Sequence, residues 1–323
     1  MASHPMDTSA GVLHPETAAR ERVLVTGASG FIGSALVDEL VRRGKEVHCL
    51  LRPGGQARYL AAVSSRICVH SVDLSNADGV RDAVSASQPE VVFHLAAVGV
   101  TDVTVDPALA VEVNVVGLLN LLAALRGRFR VFVNTGTCHE YGSGEPPFRE
   151  DQDPRPELPY AITKTAAWRF CNRFWQTQRW PIVTVRPFAV YGPRQAPSAF
   201  IPACIRAAQQ GRDFDMTGGE QRRDWIYVGD VVEGLIRAST VPEAAGGTFN
   251  LCTGRESTLY EVACLIVEQS GKRIAINRGA LPYREGENWR LVGDNTRART
   301  ILRWEPHVTL TEGIRRTIQA AAP

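Results

Sequence analysis

A tyrosine and a lysine, Tyr160 and Lys164, are four residues apart in the segment YAITKTAAWRF. On a helix, this spacing places both side chains on one face. A phenol has a pKa of about 10 in water, so it transfers protons near neutral pH only where its anion is stabilised. A neighbouring ammonium group supplies the positive charge. The pair therefore predicts a tyrosine that donates or accepts protons, which is typical of an enzyme.

A glycine-rich segment, TGASGFIG, follows the apolar run RVLV and precedes a helical pattern. Gly27 allows a tight turn, Gly30 lets the backbone approach a pyrophosphate, and Gly33 lets the helix pack close to a sheet. Free N–H groups and the dipole at the helix N-terminus favour phosphate. The segment predicts a dinucleotide site formed by Gly27, Ser29, Gly30, Phe31, Ile32 and Gly33.

The residue at the end of the second strand indicates which dinucleotide binds, because an acidic residue there usually binds the ribose 2′-hydroxyl of NAD. This chain has Leu51 and Arg52 there, in HCLLRPGG. An arginine suits a 2′-phosphate because it offers charge and paired donors. We expect NADP(H), with Arg52 as the main contact and Arg58 as a weaker candidate. NAD, with Arg52 merely solvated, is the alternative.

The elements that must hold these residues alternate between short apolar runs and longer helical patterns, starting at Arg22. Such alternation predicts a parallel sheet covered on both faces. We expect an α/β fold with a Rossmann-type doubly wound parallel sheet in residues 21–187 plus about 224–255. A smaller C-terminal α/β lobe would take about 188–223 plus 256–323. Residues 1–20 are predicted to be a disordered leader.

Composition narrows the class of protein. A net charge of +2 with interspersed acids and bases gives no sign of a nucleic-acid partner. The seven cysteines show no C-x-x-C pair or metal-like spacing, which suggests buried thiols in a reducing compartment and no metal site. We find neither a signal peptide nor an apolar run approaching about 18 residues, so no membrane span is expected. The prediction is a soluble cytoplasmic protein.

A threonine ends another strand-like run. Thr137 follows RVFVNTG, and open parallel sheets bind ligands at this edge. Its hydroxyl can bind the reacting oxygen beside Tyr160. Thr135 is a neighbouring alternative.

Several motifs in this order resemble the extended short-chain dehydrogenase/reductase family, in its nucleotide-sugar branch. They are TGASGFIG, Asp73-Leu74, HLAA (94–97), NVVG (114–117), Thr137, YAITK, RPFAVYGP and GEQRRDW. The resemblance implies a homodimer through helices beside the sheet, and a C-terminal lobe that holds a sugar nucleotide. It implies that Asp73 contacts adenine. Further cofactor contacts implied in this way are Leu74, Leu95, Ala96, Ala97, Asn114, Tyr160, Lys164 and Pro187.

Two arginines match those that the family places on the substrate diphosphate. They are Arg223 in QRRDW and Arg284 in YREGE. Arginine forks pair well with phosphate oxygens. Either residue could instead be an ordinary surface arginine.

The sequence departs from the family pattern after the catalytic threonine. Sugar-nucleotide 4,6-dehydratases carry an Asp–Glu pair there, whereas this chain has Cys138 and His139, followed by Glu140. Cys138 could replace the missing acid, or it could be a small residue that shapes the pocket. His139 is interpreted as a structural histidine or a pocket residue. Ala189 stands where many relatives have asparagine.

Three reactions fit these residues. Arg52 and the missing Asp–Glu pair favour NADPH-dependent reduction of a nucleoside-diphosphate 4-keto-6-deoxy sugar. A 4-epimerase or unusual dehydratase with tightly bound NAD(P) is the alternative. A non-catalytic cofactor-binding sensor is disfavoured by Thr137, Tyr160 and Lys164, and a reductase of aromatic ketones would not need Arg223 and Arg284.

Overall fold

Seven parallel strands form the central sheet of the computed structural model, which describes residues 20–100, 105–283 and 287–321. The strands are β1 (Arg22–Thr26), β2 (Glu46–Leu51), β3 (Ile67–Ser71), β4 (Val91–His94), β5 (Val131–Thr135), β6 (Ile182–Pro187) and β11 (Thr248–Leu251). Their order across the sheet is β11-β6-β5-β4-β1-β2-β3. The order reverses beside β1, and open α/β sheets bind ligands at this point.

Helices cover both faces of this sheet. The α-helices in the described part of the chain are α1 (Phe31–Arg42), α2 (Ala77–Ser87), α3 (Pro107–Val111), α4 (Gly117–Leu125), α5 (Pro159–Gln178), α6 (Phe200–Gln209), α7 (Val228–Thr240), α8 (Leu259–Ser270) and α9 (Leu310–Ala320). Helices α1 and α7 pack on one face of the sheet, while α2, α4 and α5 pack on the other. Strands β4, β5 and β6 are buried along their whole length, as their unbroken apolar runs predict.

A smaller unit follows β6 and has its own core between α6, α8 and α9. Its short strands are β7 (Ala189–Tyr191), β8 (Phe214–Met216), β9 (Arg222–Arg223), β10 (Trp225–Tyr227), β12 (Ser257–Thr258), β13 (Ile276–Arg278) and β14 (Arg290–Leu291). They form three small sheets, β10-β7, β12-β9-β14 and β13-β8. Strand β9 carries Arg223.

The predicted fold class is confirmed, because the sheet is parallel, doubly wound and accompanied by a smaller α/β unit. The exact domain boundaries stay a prediction. Strand β11 lies in the central sheet, although it follows the first part of the smaller unit in the chain. Of the predicted leader, residues 1–19 lie outside the described residues.

One helical stretch, Pro107–Leu125, is long and apolar enough to span a membrane by length and composition, with a mean hydropathy of 2.0. It was not expected from the sequence, because Glu112, Asn114 and Asn120 interrupt the apolar run. Its leucines at 118, 121 and 122 are fully buried in the core beneath α2. One face of this stretch therefore packs in the core, and the other face is exposed.

Candidate active site

The glycine-rich loop joins β1 to α1 with no room for side chains at two of its glycines. Gly27 has a φ of +69°, and a Cβ there would lie 2.7 Å from the backbone nitrogen of Ala96. A Cβ on Gly33 would lie 2.1 Å from the carbonyl oxygen of Gly27. Helix α1 starts after Gly30 without a side-chain cap, so among the described residues its first N–H groups have no capping side chain. This is the arrangement that binds a pyrophosphate.

The ends of β1 and β4 lie beside this loop and form the floor of the predicted cofactor site. The Thr26 hydroxyl pairs with His94 Nδ1 at 2.9 Å and accepts a hydrogen bond from Ala96 N at 3.2 Å. Burial lowers the pKa of His94 to about 3, so its ring is neutral. Leu95, Ala96 and Ala97 are half-buried and continue from this floor along the predicted cofactor site.

The two predicted contacts for the adenosine end lie after β2 and β3. Arg52 follows β2 directly, is exposed, and has no side-chain partner among the described residues. Arg58 instead stacks on Tyr59 at 4.5 Å and donates to its hydroxyl at 2.7 Å. Arg52 is thus the freer of the two guanidinium groups. Asp73 accepts from the N–H and hydroxyl of Ser75 through Oδ1 only, at 3.0 and 2.9 Å.

Three further predicted cofactor residues are largely enclosed by protein. Asn114 bonds to the N–H and carbonyl of Val98 at 2.9 and 3.1 Å, and donates to Thr163 at 3.0 Å. These bonds make Asn114 a brace between the loop after β4 and helix α5. Leu74 is buried and packs close to the backbone of α4, and Pro187 is buried at the end of β6.

Thr137 caps a tight turn, residues Cys138–Tyr141, which we call the 138–141 turn. Its hydroxyl accepts from His139 N at 3.3 Å, and its N–H donates to Glu140 Oε1 at 2.8 Å. Thr135, the alternative, ends β5 beneath this turn with its hydroxyl unpartnered among the described residues. The turn puts Thr137 rather than Thr135 against Tyr160.

Tyr160 and Lys164 lie in the first turns of α5, on the face that packs against the 138–141 turn. Burial raises the pKa of Tyr160, while an interaction with the Thr137 side chain lowers it. Burial lowers the pKa of Lys164 to about 8, and the Glu140 charge opposes this shift. The Thr137 side chain therefore favours the Tyr160 phenolate in this structure. The Lys164 ammonium has no hydrogen-bond or ion-pair partner within the described part of the chain.

Cys138 and His139 occupy the positions where the dehydratase acids would stand. Burial raises the pKa of the Cys138 thiol to about 12, so it stays protonated at neutral pH. Burial, aided by Arg223, lowers the pKa of His139 to about 4, and its Nδ1 finds no partner among the described residues. Neither side chain offers a carboxylate or an imidazolium to a substrate near pH 7.

Arg223 lies beside the 138–141 turn, since its charge lowers the pKa of both Cys138 and His139. Its side chain is only 14% exposed and forms an ion pair with Glu287 at 2.8 Å. The other predicted diphosphate ligand, Arg284, lies outside the described residues. The structure therefore brings one of the two arginines to the site and leaves the other undescribed.

Four residues at the site were not predicted from the sequence. Glu140 and Arg186 form an ion pair at 2.8 Å with neither side chain exposed, and Glu287 pairs with Arg223. Asp224 is buried and accepts from the N–H groups of Thr253 and Gly254 at 2.7 and 2.8 Å. Of these four residues, only Glu140 could have been found from the local sequence, because Thr-x-x-Glu is a helix-capping pattern.

These residues fit a bound dinucleotide. The N-terminus of α1 at the glycine-rich loop can hold a pyrophosphate, Asp73 Oδ2 has no partner among the described residues, and the Lys164 ammonium is available for a ribose hydroxyl. Thr137 and Tyr160 lie together beyond Lys164, where a substrate oxygen could be bound. No group of three or more potential metal ligands occurs among the described residues.

Comparison with known proteins agrees with this geometry. A model of the NAD dependent epimerase/dehydratase family matches residues 23–252. The chain is 36% identical over 310 residues to the UDP-glucose 4-epimerase of Mycolicibacterium smegmatis, covering 92% of this chain and 97% of that protein. It is 28% identical over 311 residues to the GDP-6-deoxy-D-mannose reductase of Pseudomonas aeruginosa, covering 91% and 95%.

A solved structure has the same fold. The UDP-glucose 4-epimerase of Thermus thermophilus, in complex with NAD, superimposes with a TM-score of 0.83 at 33% identity, covering 93% of this chain and 98% of that one. The similar proteins thus include both an epimerase and a reductase of nucleotide sugars.

Proposed function

The chain belongs to the NAD-dependent epimerase/dehydratase family, and we propose that it uses NADPH to reduce the 4-keto group of a nucleoside-diphosphate 4-keto-6-deoxyhexose. The position of Arg52 is the observation that favours reduction over the other two reactions. Arg52 is exposed, has no partner among the described residues, and lies where an enzyme that uses NAD would have an acidic residue. A 2′-phosphate is the anion that such an arginine recognises. Enzymes that take NADPH from solution and release NADP need this recognition at every turnover.

The proposed chemistry uses three side chains of this chain. Bound NADPH supplies a hydride to the carbonyl carbon. Tyr160 donates its phenolic proton to the carbonyl oxygen as the C=O double bond becomes a C–OH single bond. Thr137 hydrogen-bonds to that oxygen, and its contact with Tyr160 eases loss of the proton. The net reaction consumes one NADPH and one proton, and Tyr160 regains its proton from solvent.

Lys164 has two roles in this proposal. With a pKa of about 8 it remains mostly protonated at neutral pH, so its ammonium can hold a ribose hydroxyl and favour the phenolate that Tyr160 leaves behind. Because the group is buried and has no partner among the described residues, the ligand would supply its missing hydrogen bond. Arg223 and Arg284 would bind the diphosphate, with Glu287 exchanged for phosphate oxygens.

Cys138 argues against ordinary 4,6-dehydration. A thiol with a pKa of about 12 holds its proton, and it is a weaker acid than the aspartic acid that dehydratases carry at this position. We therefore assign Cys138 to the wall of the sugar pocket in the reductase, and to a substitute acid only in the dehydratase alternative.

The test is consumption of NADPH with a nucleoside-diphosphate 4-keto-6-deoxyhexose, followed at the nicotinamide absorbance. We expect turnover in the wild type and a loss of at least about 100-fold in Tyr160→Phe, since a general acid contributes this much. Tyr227→Phe is the matched control, because Tyr227 packs against Tyr191 in the core of the smaller unit. Cofactor binding with no turnover on any sugar nucleotide would instead favour a sensor.

A 4-epimerase with tightly bound NAD(P) is the second candidate, favoured by the similarity to two UDP-glucose 4-epimerases. An epimerase oxidises and re-reduces its substrate, so it interconverts two sugars with no net use of cofactor. The purified protein would then carry NAD or NADP after extensive dialysis. Interconversion without NADPH loss would establish this alternative and refute the reductase.

We also propose a homodimer in the cytoplasm. The helical stretch Pro107–Leu125 and the neighbouring α5 expose apolar side chains at Leu109, Val116, Ile162 and Phe170. Exposed apolar faces of this kind mark association surfaces. All seven cysteines carry free thiols, as in a reducing compartment. Analytical ultracentrifugation should give a dimer, and Ile162→Glu with Phe170→Glu should give a monomer.

A further inference from the structure

A buried ion pair joins the 138–141 turn, which Thr137 caps, to the neighbouring strand β6. Arg186 donates from Nε to Glu140 Oε2 at 2.9 Å and contacts the same oxygen from Nη2 at 2.8 Å. Glu140 belongs to the 138–141 turn, and Arg186 lies near the end of β6. Both side chains are fully buried. A charge pair in such a place costs desolvation, so its retention calls for a role beyond stability.

Arg186 also lies between two aromatic rings, one from the 138–141 turn and one from α5. Its guanidinium is 4.8 Å from the ring centre of Tyr141 in the turn and 4.7 Å from that of Trp168 in α5. Trp168 is one helical turn after Lys164, on the same side of α5. Arg186 therefore fixes the turn that carries Thr137 against the helix that carries Tyr160 and Lys164.

Glu140 uses its other carboxylate oxygen to hold Thr137. Oε1 accepts from Thr137 N at 2.8 Å, so the orientation of the threonine depends on the carboxylate that Arg186 holds. Gly136 is required there, because a Cβ at this position would lie 2.3 Å from Glu140 Oε1. Helix α5, which carries Lys164, packs against the turn that carries Glu140, and the Glu140 carboxylate raises the pKa of Lys164 against the effect of burial.

We propose that Glu140 and Arg186 are positioning residues that hold Thr137 beside Tyr160 and keep a negative charge near the Lys164 ammonium. The proposal rests on the proposed function in assigning catalysis to Thr137, Tyr160 and Lys164. It separates into a charge role, which belongs to Glu140, and a geometric role, which belongs to the stacked Arg186. Each role has its own variant and its own measurement.

The charge role is tested without turnover. The chain has only three lysines, Lys45, Lys164 and Lys272, so [13C-ε]lysine labelling gives three signals, and Lys164→Met assigns one of them. In Glu140→Gln, the amide oxygen can still accept from Thr137 N, but the charge is gone. We expect the pKa of Lys164 to fall from about 8 by roughly half a unit or more.

The matched control is Glu145→Gln, which removes an exposed carboxylate from the same segment. It should leave the Lys164 titration unchanged. Glu140→Gln alone leaves the buried Arg186 without its counter-charge, which could destabilise the fold. A second variant, Glu140→Gln with Arg186→Met, therefore removes both buried charges together. It should also lower the Lys164 pKa. An unchanged titration in a folded variant that binds cofactor would overturn the charge role.

The geometric role is tested by Arg186→Lys, which keeps a positive charge but loses the paired donors and the planar stacking. We expect kcat to fall about tenfold or more with little change in KM or in the Lys164 titration, because Thr137 shifts relative to Tyr160. An unchanged kcat would refute the geometric role. If the wild type reduces no keto-sugar, the proposed function fails, while the lysine titration still decides the charge role.

Discussion

Replacing Lys164 by methionine should stabilise the cofactor-free protein while abolishing its activity. The buried ammonium has its pKa lowered from 10.5 to about 8, chiefly by burial. A shift of this size corresponds to about 3 kcal/mol of unfavourable free energy for the charged form in the folded state. Methionine keeps most of the apolar stem and removes the charge. We therefore expect a gain of up to about 3 kcal/mol in the free energy of unfolding at pH 7.

The pH dependence of this gain has a definite sign. Below pH 8 the lysine is protonated in both the folded and unfolded states, so the full desolvation cost weakens folding. Between pH 8 and 10.5 the folded protein releases the proton while the unfolded chain keeps it, so the wild type becomes more stable relative to the variant as pH rises. The advantage of Lys164→Met should therefore shrink across this interval.

Urea unfolding of the cofactor-free protein at pH 7 and pH 10 measures the effect, and turnover is assayed in parallel. Lys272→Met is the matched control, because Lys272 is exposed and its loss should change neither quantity. The reasoning is refuted if Lys164→Met is less stable than the wild type at pH 7, or if its advantage is the same at both pH values.

Three further outcomes are expected. Arg52→Ala should raise KM for NADPH by about 10- to 100-fold and leave KM for NADH unchanged, because one charge-assisted phosphate contact is lost. Initial rates measured with each cofactor test this, and an equal change in both KM values would contradict it. Gly33→Ala should abolish the change in NADPH fluorescence that accompanies binding, because the alanine Cβ would lie 2.1 Å from the Gly27 carbonyl oxygen. A variant that still binds NADPH would contradict the loop geometry. Cys138→Ala should reduce kcat far less than the roughly 100-fold cost of losing a general acid, and a larger loss would favour the dehydratase alternative.

The sequence was enough to predict the sheet and the glycine loop. Unbroken apolar runs such as RVLV and VVFH become buried parallel strands, and Gly27 and Gly33 occupy positions where side chains cannot fit. These signals are local, because each depends on residues close together in the chain. Tyr160 and Lys164 were found for the same reason.

The Glu140–Arg186 pair could not be predicted in this way. Its members are far apart in the chain, and charged residues usually occupy the surface, so only the paired strands show that they meet in the core. From the spacing of residues alone, Lys164 was expected to supply the positive charge that stabilises the Tyr160 phenolate, and this stays a prediction. The contact of the Thr137 side chain with Tyr160 depends on the 138–141 turn, which the spacing does not reveal.

The position of β11 has a consequence for biosynthesis. Strand β6 ends at Pro187, but its neighbour in the sheet starts only at Thr248, after the ribosome has made the first part of the smaller unit and helix α7. At about 5–20 residues per second, the nascent chain spends several seconds with an apolar edge strand unpaired. Such edges promote aggregation, so this interval is when the emerging protein most needs a chaperone. A gene truncated after β6 would make that exposed edge permanent.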